Sequence, residues 1–184
     1  MKSCRWRRLC KNYLKYLSLK KNPDYLEVTF DWKSGGVSAM HRLHQFDKVI
    51  GLWGTRRGDY ERHIVKVFRA QGRSIVLQSE SSLDPVGQKH YDAILDYHFA
   101  EIKTIESSGR WAVRTKIADA MNQGAETIIL FFADASLFSL ERIHFGLSRC
   151  LSSVSPIVLQ ERTITLICVV ENEVVIDKTI KPPG

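Results

Sequence analysis

Two carboxylates and a lysine lie close together near the middle of this 184-residue chain. They are Asp92, Glu101 and Lys103, and a single residue separates the last two. Because side chains alternate in direction along a β-strand, Glu101 and Lys103 would point to the same face. If the preceding strand folds back antiparallel to this one, Asp92 reaches the same place, and two carboxylates converge on one ammonium group.

A cluster of this kind suits the hydrolysis of a phosphodiester bond. Carboxylate oxygens are the ligands that Mg²⁺ and Mn²⁺ prefer, and a divalent cation polarises a phosphate and lowers the pKa of water. Lys103 would position the attacking water and offset the charge that builds on the phosphoryl oxygens. The sequence therefore predicts a metal-dependent nuclease in which Asp92 and Glu101 hold the metal. Glu80 is a further candidate metal ligand, and Asp96 is an alternative to Asp92.

An upstream helix is predicted to bring another acid to the cluster. The pattern indicates a helix over residues 60–71, with Asp59 as its N-cap. Glu61 shares the helical spacing of the apolar residues Val65 and Phe68, so its side chain is expected to face inward with theirs. Glu61 is therefore included among the candidate catalytic residues.

The elements around the cluster predict an α/β fold, in which a mixed central sheet is flanked by helices. Two strands, Asp92–Phe99 and Ala100–Ile105, carry the cluster, and residues 110–123 form a helix with Trp111 on its apolar face. Residues 127–133 are almost entirely apolar, which predicts a strand buried on both faces. The other predicted elements are strands at 25–32, 74–78, 163–170 and 173–177 and a helix that begins after Ser139.

Positive charge is concentrated at the N-terminus. Residues 1–23 contain eight lysine or arginine side chains and no acid, against a net charge of +7 for the whole chain. We predict an amphipathic arm over 1–23, which either docks on the domain or grips nucleic acid, and a domain over 24–184. No apolar run approaches the ~20 residues of a membrane helix, so we expect a cytoplasmic site of action and no membrane partner. The apolar stripe of the arm comprises Trp6, Leu9, Tyr13, Tyr16 and Leu17.

The acidic cluster and its surroundings resemble the PD-(D/E)XK nuclease superfamily. Asp92 follows Tyr91 where the family has Pro-Asp, and Glu101-Ile102-Lys103 matches the E-x-K element. Glu61 matches the acid often contributed by the first helix, and Gln123 matches a polar residue common after the E-x-K strand. The missing proline is a conformational preference rather than a ligand. The resemblance covers residues 59–134 and implies a restriction-endonuclease-like core.

A second resemblance extends upstream of this core. The C-terminal toxin domains of contact-dependent growth inhibition systems, and related phage-borne toxins, have a similar pattern of residues. The matching residues are Asp31 to Gly36, His41, His44, Phe46, Asp47, Tyr60, Glu61 and Gly72. This resemblance implies a nuclease toxin that acts on transfer RNA and is countered by a cognate immunity protein. It also implies that the domain is delivered from another cell or forms part of a longer polypeptide.

Contacts with nucleic acid, either tRNA or DNA, are predicted around the cluster. The candidates are basic, polar or imidazole side chains near it: His41, His44, Arg110, Arg114, Lys116 and Gln123. Simpler interpretations stay open, since helix residues are often solvated, histidines often make structural hydrogen bonds, and Glu101 and Lys103 could form an ordinary ion pair. The alternative function is a non-catalytic nucleic-acid-binding module on the same fold. A third possibility is an interaction domain of a longer polypeptide.

Overall fold

The computed structural model describes residues 2–79, 90–153 and 163–180, in which four α-helices surround one eight-stranded sheet. The strands are β1 (Tyr25–Phe30), β2 (Val37–His41), β3 (Ser74–Leu77), β4 (Ala93–Leu95), β5 (His98–Ile105), β6 (Thr127–Phe132), β7 (Ile164–Val170) and β8 (Glu173–Ile180). The helices are α1 (Lys2–Lys21), α2 (Arg57–Ala70), α3 (Ala112–Gln123) and α4 (Leu140–Ser153). The predicted α/β fold with a mixed sheet is confirmed. Glu80, one of the candidate metal ligands, lies outside the described residues.

The strands follow one another across the sheet in sequence order. Three neighbouring pairs, β2–β3, β5–β6 and β6–β7, are parallel, and a helix lies between the two strands of each pair, as a parallel connection requires. The other neighbouring pairs are antiparallel. This order places the β4–β5 hairpin, which carries the acidic cluster, at the centre of the sheet.

The β4–β5 hairpin turns at Asp96 and Tyr97. Their φ angles are 47° and 77°, and both central residues of a tight two-residue hairpin turn have such left-handed values. The strand predicted from Asp92 to Phe99 is therefore wrong at its C-terminal end, because the chain reverses there and enters β5. The ammonium groups of Lys11 and Lys15 lie 3.7 and 4.5 Å from the centre of the Tyr97 ring, so α1 contacts this turn.

Helices cover both faces of the sheet. On one face α2 buries Ile64 and Phe68 against the strands, and on the other α3 and α4 bury Ile117 and Ile143. All the residues of β6 are buried, which confirms the prediction of a strand covered on both faces. The cluster on β5 therefore has a densely packed strand on one side and the short β4 on the other.

Helix α1 packs against β1 and β2 through a core that includes Leu19 and Phe30. The side chain of Asn12 is buried and donates hydrogen bonds to the carbonyl oxygens of Gly35 at 2.9 Å and Gly72 at 3.1 Å. Trp6, which belongs to the predicted stripe, is 66% exposed, so the helix docks through only part of that stripe. No helix in the described part of the chain is long and apolar enough to cross a membrane.

Three local predictions differ from the structure. Asp59 lies within the first turn of α2 instead of capping it. The helix begins at Arg57, two residues before Asp59, and Arg56 is its N-cap. Trp111 was predicted to belong to the core but is 51% exposed, since it precedes α3 instead of lying inside it. The strand Val37–His41 was not predicted, and His44 follows it after a short turn.

Candidate active site

The sheet opens between β4 and β5 next to Asp92. The last pair of the two strands is Ala93 with Ala100. At the next position, Oδ2 of Asp92 accepts a hydrogen bond of 2.6 Å from the backbone amide of Ile102. If the two strands stayed paired, a backbone carbonyl oxygen would accept that hydrogen bond instead. The backbone oxygen of Asp92 accepts a hydrogen bond of 3.0 Å from the amide of Gln78, which extends the pairing of β3 with β4. The Asp92 carboxylate is thereby fixed at the edge of β5.

The predicted cluster forms at this opening. Nζ of Lys103 lies 2.6 Å from Oε2 of Glu101 and 3.9 Å from Oδ2 of Asp92. The Glu101 side chain is fully buried, whereas the side chains of Lys103 and Asp92 are 15% and 27% exposed. The convergence follows from the two features anticipated in the sequence, namely alternation along β5 and the antiparallel return of β4. The three groups form a graded site, with a buried carboxylate below and a partly exposed carboxylate and ammonium group above.

Burial dominates the electrostatics of Glu101. Loss of solvent and then the negative charge of Asp92 raise the pKa of Glu101 to about 7, although Lys103 opposes the shift. Oε1 of Glu101 is buried and has no hydrogen-bond partner among the described residues. A buried acceptor without a partner is unfavourable, more so when it carries charge. The arrangement therefore leaves one oxygen able to bind a cation or a donor.

The donors of this site fit a divalent metal. Mg²⁺ is commonly held by one or two carboxylates and completes its shell with water and substrate phosphate oxygens. The unpartnered Oε1 of Glu101 and the carboxylate of Asp92 supply two such groups. Within residues 2–79, 90–153 and 163–180, no group of three or more histidine, cysteine, aspartate or glutamate side chains is arranged to hold a metal. Metal binding here would accordingly depend on water and substrate as further ligands.

Glu61 reaches the same opening from α2, on the other face of the sheet. Its Oε2 lies 3.1 Å from Nε2 of His44, and Nδ1 of His44 lies 2.9 Å from the carbonyl oxygen of Gln78. Both of these neighbours are acceptors, and both are satisfied when the imidazole carries a proton on each nitrogen. His44 was predicted to contact nucleic acid, but its side chain is fully buried. The structure places it behind Glu61 as a support for that carboxylate.

A cleft of about 550 Å³ opens beside Glu61, Asp92 and Lys103, whereas the buried Glu101 is not among its lining residues. Such a volume falls in the range of clefts that bind small molecules. Its lining includes four basic and three acidic side chains, which are Lys48, Arg57, Lys103, Lys116, Asp47, Glu61 and Asp92; the other lining residues are Gln45, Phe46, Ile102 and Thr104. The basic groups of the lining can attract a polyanion, and the acidic groups can hold a cation.

Glu106, which the sequence analysis did not single out, ties the upstream loop to the end of β5. Nε of Arg57 donates to its Oε2 at 2.8 Å, and the amide of Leu52 donates to Oε1 at 3.3 Å. A Cβ atom at Gly51 would lie 1.9 Å from Oε1, so any other residue there would displace the Glu106 carboxylate. The hydrogen bond from Arg57 to Glu106 raises the pKa of that guanidinium. Glu106 lies three residues after Lys103, so it does not share the alternation that puts Glu101 and Lys103 on one face. No other pattern in the sequence indicates Glu106.

The other predicted contact residues are dispersed. Lys116 lines the cleft from α3, whereas Arg110 stacks over the Phe145 ring at 4.4 Å. Arg114 and Gln123 also lie on α3 but outside the cleft lining, and Gln123 is exposed at the end of that helix. His41 ends β2, where its ring packs edge-on against Tyr25 at 5.5 Å.

Asp96, considered as an alternative to Asp92, has a structural position. Its carboxylate accepts hydrogen bonds from Nε of Arg73 at 2.6 Å and from the amide of Ser74 at 2.8 Å. These bonds fix the turn of the β4–β5 hairpin to the start of β3. Asp96 therefore lies at the opposite end of β4 from the cleft.

Neither a model of a known protein family nor a curated protein matches the chain. Among solved structures, the chain is similar to one described as a CdiA-CT/CdiI toxin and immunity complex from Burkholderia pseudomallei. The sequence identity is 18%, the TM-score is 0.48, and the similarity covers 68% of this chain and 84% of that chain. A similarity of this degree assigns neither a family nor a function, and the functional argument below starts from the site itself.

Proposed function

We propose that this chain is a metal-dependent nuclease that hydrolyses phosphodiester bonds in nucleic acid. The observation that carries the proposal is the buried Glu101, whose Oε1 has no hydrogen-bond partner among the described residues and which lies beside Asp92 and Lys103. A carboxylate in this position is unfavourable for folding. Chemistry in the adjoining cleft, which Asp92 and Lys103 line, would account for its presence there.

The chain's own residues divide the work. Mg²⁺ or Mn²⁺, when bound, would supply Lewis acidity toward the phosphate and lower the pKa of water. Glu101 and Asp92 would hold that ion, and the hydrogen bond from Ile102 keeps the Asp92 carboxylate in place. An ammonium group has three N–H donors. Glu101 accepts one from Lys103, and the others are available to orient water and to stabilise negative charge on the phosphoryl oxygens.

The remaining cleft residues would bind and orient the substrate. Lys48 and Lys116 also line the cleft, where they can contact phosphates. Glu61, held by His44, faces the cleft from α2 and is a candidate acceptor for the proton of the attacking water. Positions fixed by hydrogen bonds in this way favour a reaction that depends mainly on orientation.

The short ion pair between Glu101 and Lys103 favours a second candidate function. A buried carboxylate that is already neutralised by an ammonium group at 2.6 Å has less need of a metal. In that case the basic cleft would bind nucleic acid without cleaving it. The toxin role, the choice of transfer RNA as substrate and a cognate immunity protein are likewise proposals, which follow from the resemblance in sequence.

Cleavage assays separate the two functions. The purified chain is incubated with total transfer RNA, plasmid DNA and single-stranded DNA, with Mg²⁺, Mn²⁺ or EDTA. We expect cleavage that requires metal and is lost in Glu101→Gln, a variant of nearly the same shape. Glu141→Gln, which changes an exposed carboxylate on α4, is the matched control and should cleave normally. Equal cleavage by Glu101→Gln, or binding of all three substrates without cleavage, would refute the nuclease proposal.

A further inference from the structure

A small hairpin rises from the lining of the cleft. Val49 and Arg57 are joined by a backbone hydrogen bond of 3.0 Å, Ile50 pairs with Arg56, and the amide of Gly51 donates to the oxygen of Thr55 at 2.8 Å. We refer to residues 49–57 as the cleft hairpin. Its base adjoins residues that line the cleft, and its tip is a single 3₁₀ turn over residues 52–54.

The tip presents a tryptophan that neither packing nor backbone preference explains. Trp53 is 82% exposed, so its ring gains little from burial. Its φ angle of 58° lies in the left-handed region, which is unfavourable for a bulky side chain. Gly54, the next residue, has a φ of 72° and open space around it. An exposed aromatic ring in an unfavourable backbone conformation is a feature that occurs at ligand-binding sites.

The tip of the hairpin is held in position at Leu52. Glu106 accepts a hydrogen bond from the Leu52 amide, and the hydroxyl of Tyr60 donates to the Leu52 oxygen at 3.1 Å. Hydrogen bonds from Ser136 lower the pKa of Asp134, two residues beyond β6, and the Trp53 side chain adds a smaller contribution. The indole therefore lies near Asp134.

Cations lie on the cleft hairpin, next to it in sequence, and in the lining of the cleft. Lys48 precedes the cleft hairpin and Arg56 lies on its second strand, and both are exposed. Lys116 lines the cleft. Aromatic side chains between cations are typical of surfaces that bind single-stranded nucleic acid, because bases stack on the rings while phosphates contact the cations. A base inside a duplex has both faces covered by its neighbours and cannot stack in this way.

We propose that the cleft hairpin binds a single-stranded segment of nucleic acid, with one unpaired base stacked on Trp53 and the adjoining phosphates over Lys48 and Lys116. This assignment of the substrate class rests on the proposed nuclease function for the cleft beneath the hairpin. It makes Trp53 a residue that determines specificity for unpaired substrate. The exposed side chains of Val49 and Ile50 would contact the sugar and base edges next to the stacked base.

Binding in EDTA tests this proposal without requiring cleavage. A fluorescein-labelled 12-nucleotide oligouridylate and a 12-base-pair duplex are titrated with the full chain and followed by anisotropy. We expect Trp53→Ala to weaken binding of the single strand by roughly tenfold, in line with the loss of one stacked base, and to leave duplex binding unchanged. Trp53→Phe, which keeps an aromatic face, should retain most of the affinity.

Two further variants separate stacking from structure. Trp53→Gly suits the left-handed backbone, so it should keep the midpoint of thermal unfolding or raise it while losing the same affinity. Trp32→Ala removes another exposed tryptophan, which is 74% exposed beside β1, and should bind normally. Unchanged single-strand binding by Trp53→Ala, or an equal loss in Trp32→Ala, would overturn the proposal. It would also fail if vesicles of phosphatidylcholine and phosphatidylserine bound the chain through Trp53 and displaced the oligonucleotide.

The outcomes for hairpin and cleft are distinguishable. If Glu101→Gln abolishes cleavage but Trp53→Ala binds single strands normally, the hairpin proposal fails and the nuclease proposal stands. If Trp53→Ala loses single-strand affinity but the unmodified chain cleaves no substrate with any metal, the hairpin proposal stands and the nuclease proposal fails.

Discussion

Glu101 on β5 and Ile128 on β6 are paired neighbours at the centre of the sheet, and both are essentially fully buried. Ile128 lies in the apolar core beneath α3 and α4, where burying such a side chain stabilises the fold by about 1.5–3 kcal/mol. Glu101 has an ion pair on one oxygen and no partner for the other among the described residues. An apolar residue would suit folding at both positions, so Glu101 is the less stabilising of the two, and the proposed nuclease function would account for its presence.

The largest expected effect is on activity and separates the candidate site on β5 from the apolar core on β6. Lys103→Met removes the ammonium group but keeps the length of the side chain. We expect the cleavage rate to fall by about 10²–10³-fold, the usual loss when a donor to the developing negative charge is removed. Initial rates at saturating Mg²⁺ measure this, with folding checked by circular dichroism.

Ile128→Val is the control on the neighbouring strand. Removing one buried methyl group should lower the free energy of unfolding by about 0.5–1.5 kcal/mol and leave the cleavage rate within about twofold, because the shortened side chain leaves the site's charges and hydrogen bonds in place. A rate loss in Ile128→Val as large as that in Lys103→Met would mean that the cleft responds to packing in general, and the distinction between the candidate site and the core would be lost.

The two neighbours should also differ in their response to pH. The pKa of Glu101 is raised from 4.5 to about 7 in the folded chain, so between these values the folded state retains a proton that the unfolded state releases. Stability is therefore highest below pH 4.5 for this group and is lost as the pH rises toward 7. In EDTA, the free energy of unfolding should fall by about 3 kcal/mol across that interval because of Glu101.

Urea unfolding at several pH values, with and without Glu101→Gln, measures this dependence. The variant has no titrating group at this position, so its unfolding free energy should lack that component, while Ile128→Val should keep it. Excess Mg²⁺ should reduce the dependence in the unmodified chain, because a bound cation favours the ionised carboxylate. The same pH profile for the unmodified chain and Glu101→Gln would show that Glu101 titrates normally.

The comparison also shows which parts of the site the sequence could predict. Alternation placed Glu101 and Lys103 on one face, and an antiparallel return placed Asp92 beside them, because both rules depend only on local spacing. The apolar run of β6 was predicted for the same reason. The contact of Arg57 with Glu106 joins residues 49 positions apart, and no local pattern specifies such a contact.

Turn and surface features were harder to predict. The hairpin turn at Asp96 and Tyr97 contains neither glycine nor asparagine, so the usual signal for a two-residue turn is absent. His44 was predicted to face the nucleic acid, but its burial depends on how the turn after β2 packs against α2. Trp111 is apolar and was therefore assigned to the core, although the start of α3 leaves it half exposed.

A smaller effect is expected far from the cleft, where Asn12 fixes α1 to two turns. Asn12→Ala removes both hydrogen bonds and leaves the carbonyl oxygens of Gly35 and Gly72 without this buried donor. The free energy of unfolding should fall by about 2 kcal/mol, with no change in cleavage rate. Leu14→Ala, on the exposed side of the same helix, should change stability by less than about 0.5 kcal/mol. A loss of activity in Asn12→Ala would indicate that docking of α1 shapes the cleft.

The smallest expected effect concerns His44, which supports Glu61 from behind. His44→Leu removes the group that holds the Glu61 carboxylate at 3.1 Å. A carboxylate that loses its hydrogen-bonded support is less well oriented, and such losses commonly reduce activity by about tenfold or more. We expect a roughly tenfold lower kcat with little change in KM, because Glu61 would act on the attacking water and not on the bound phosphate.

His63→Leu distinguishes support of Glu61 from a general effect of losing a histidine near α2. His63 lies on the same helix, and its Nε2 contacts the oxygen of Glu171 at 2.6 Å, so the substitution removes a comparable hydrogen bond outside the cleft. Its kcat should stay normal. If both variants lose activity equally, the imidazole of His44 serves the helix and not the carboxylate. If Glu61→Gln already lowers kcat and adding His44→Leu lowers it no further, the two residues act as one unit, and the opening between β4 and β5 draws its chemistry from both faces of the sheet.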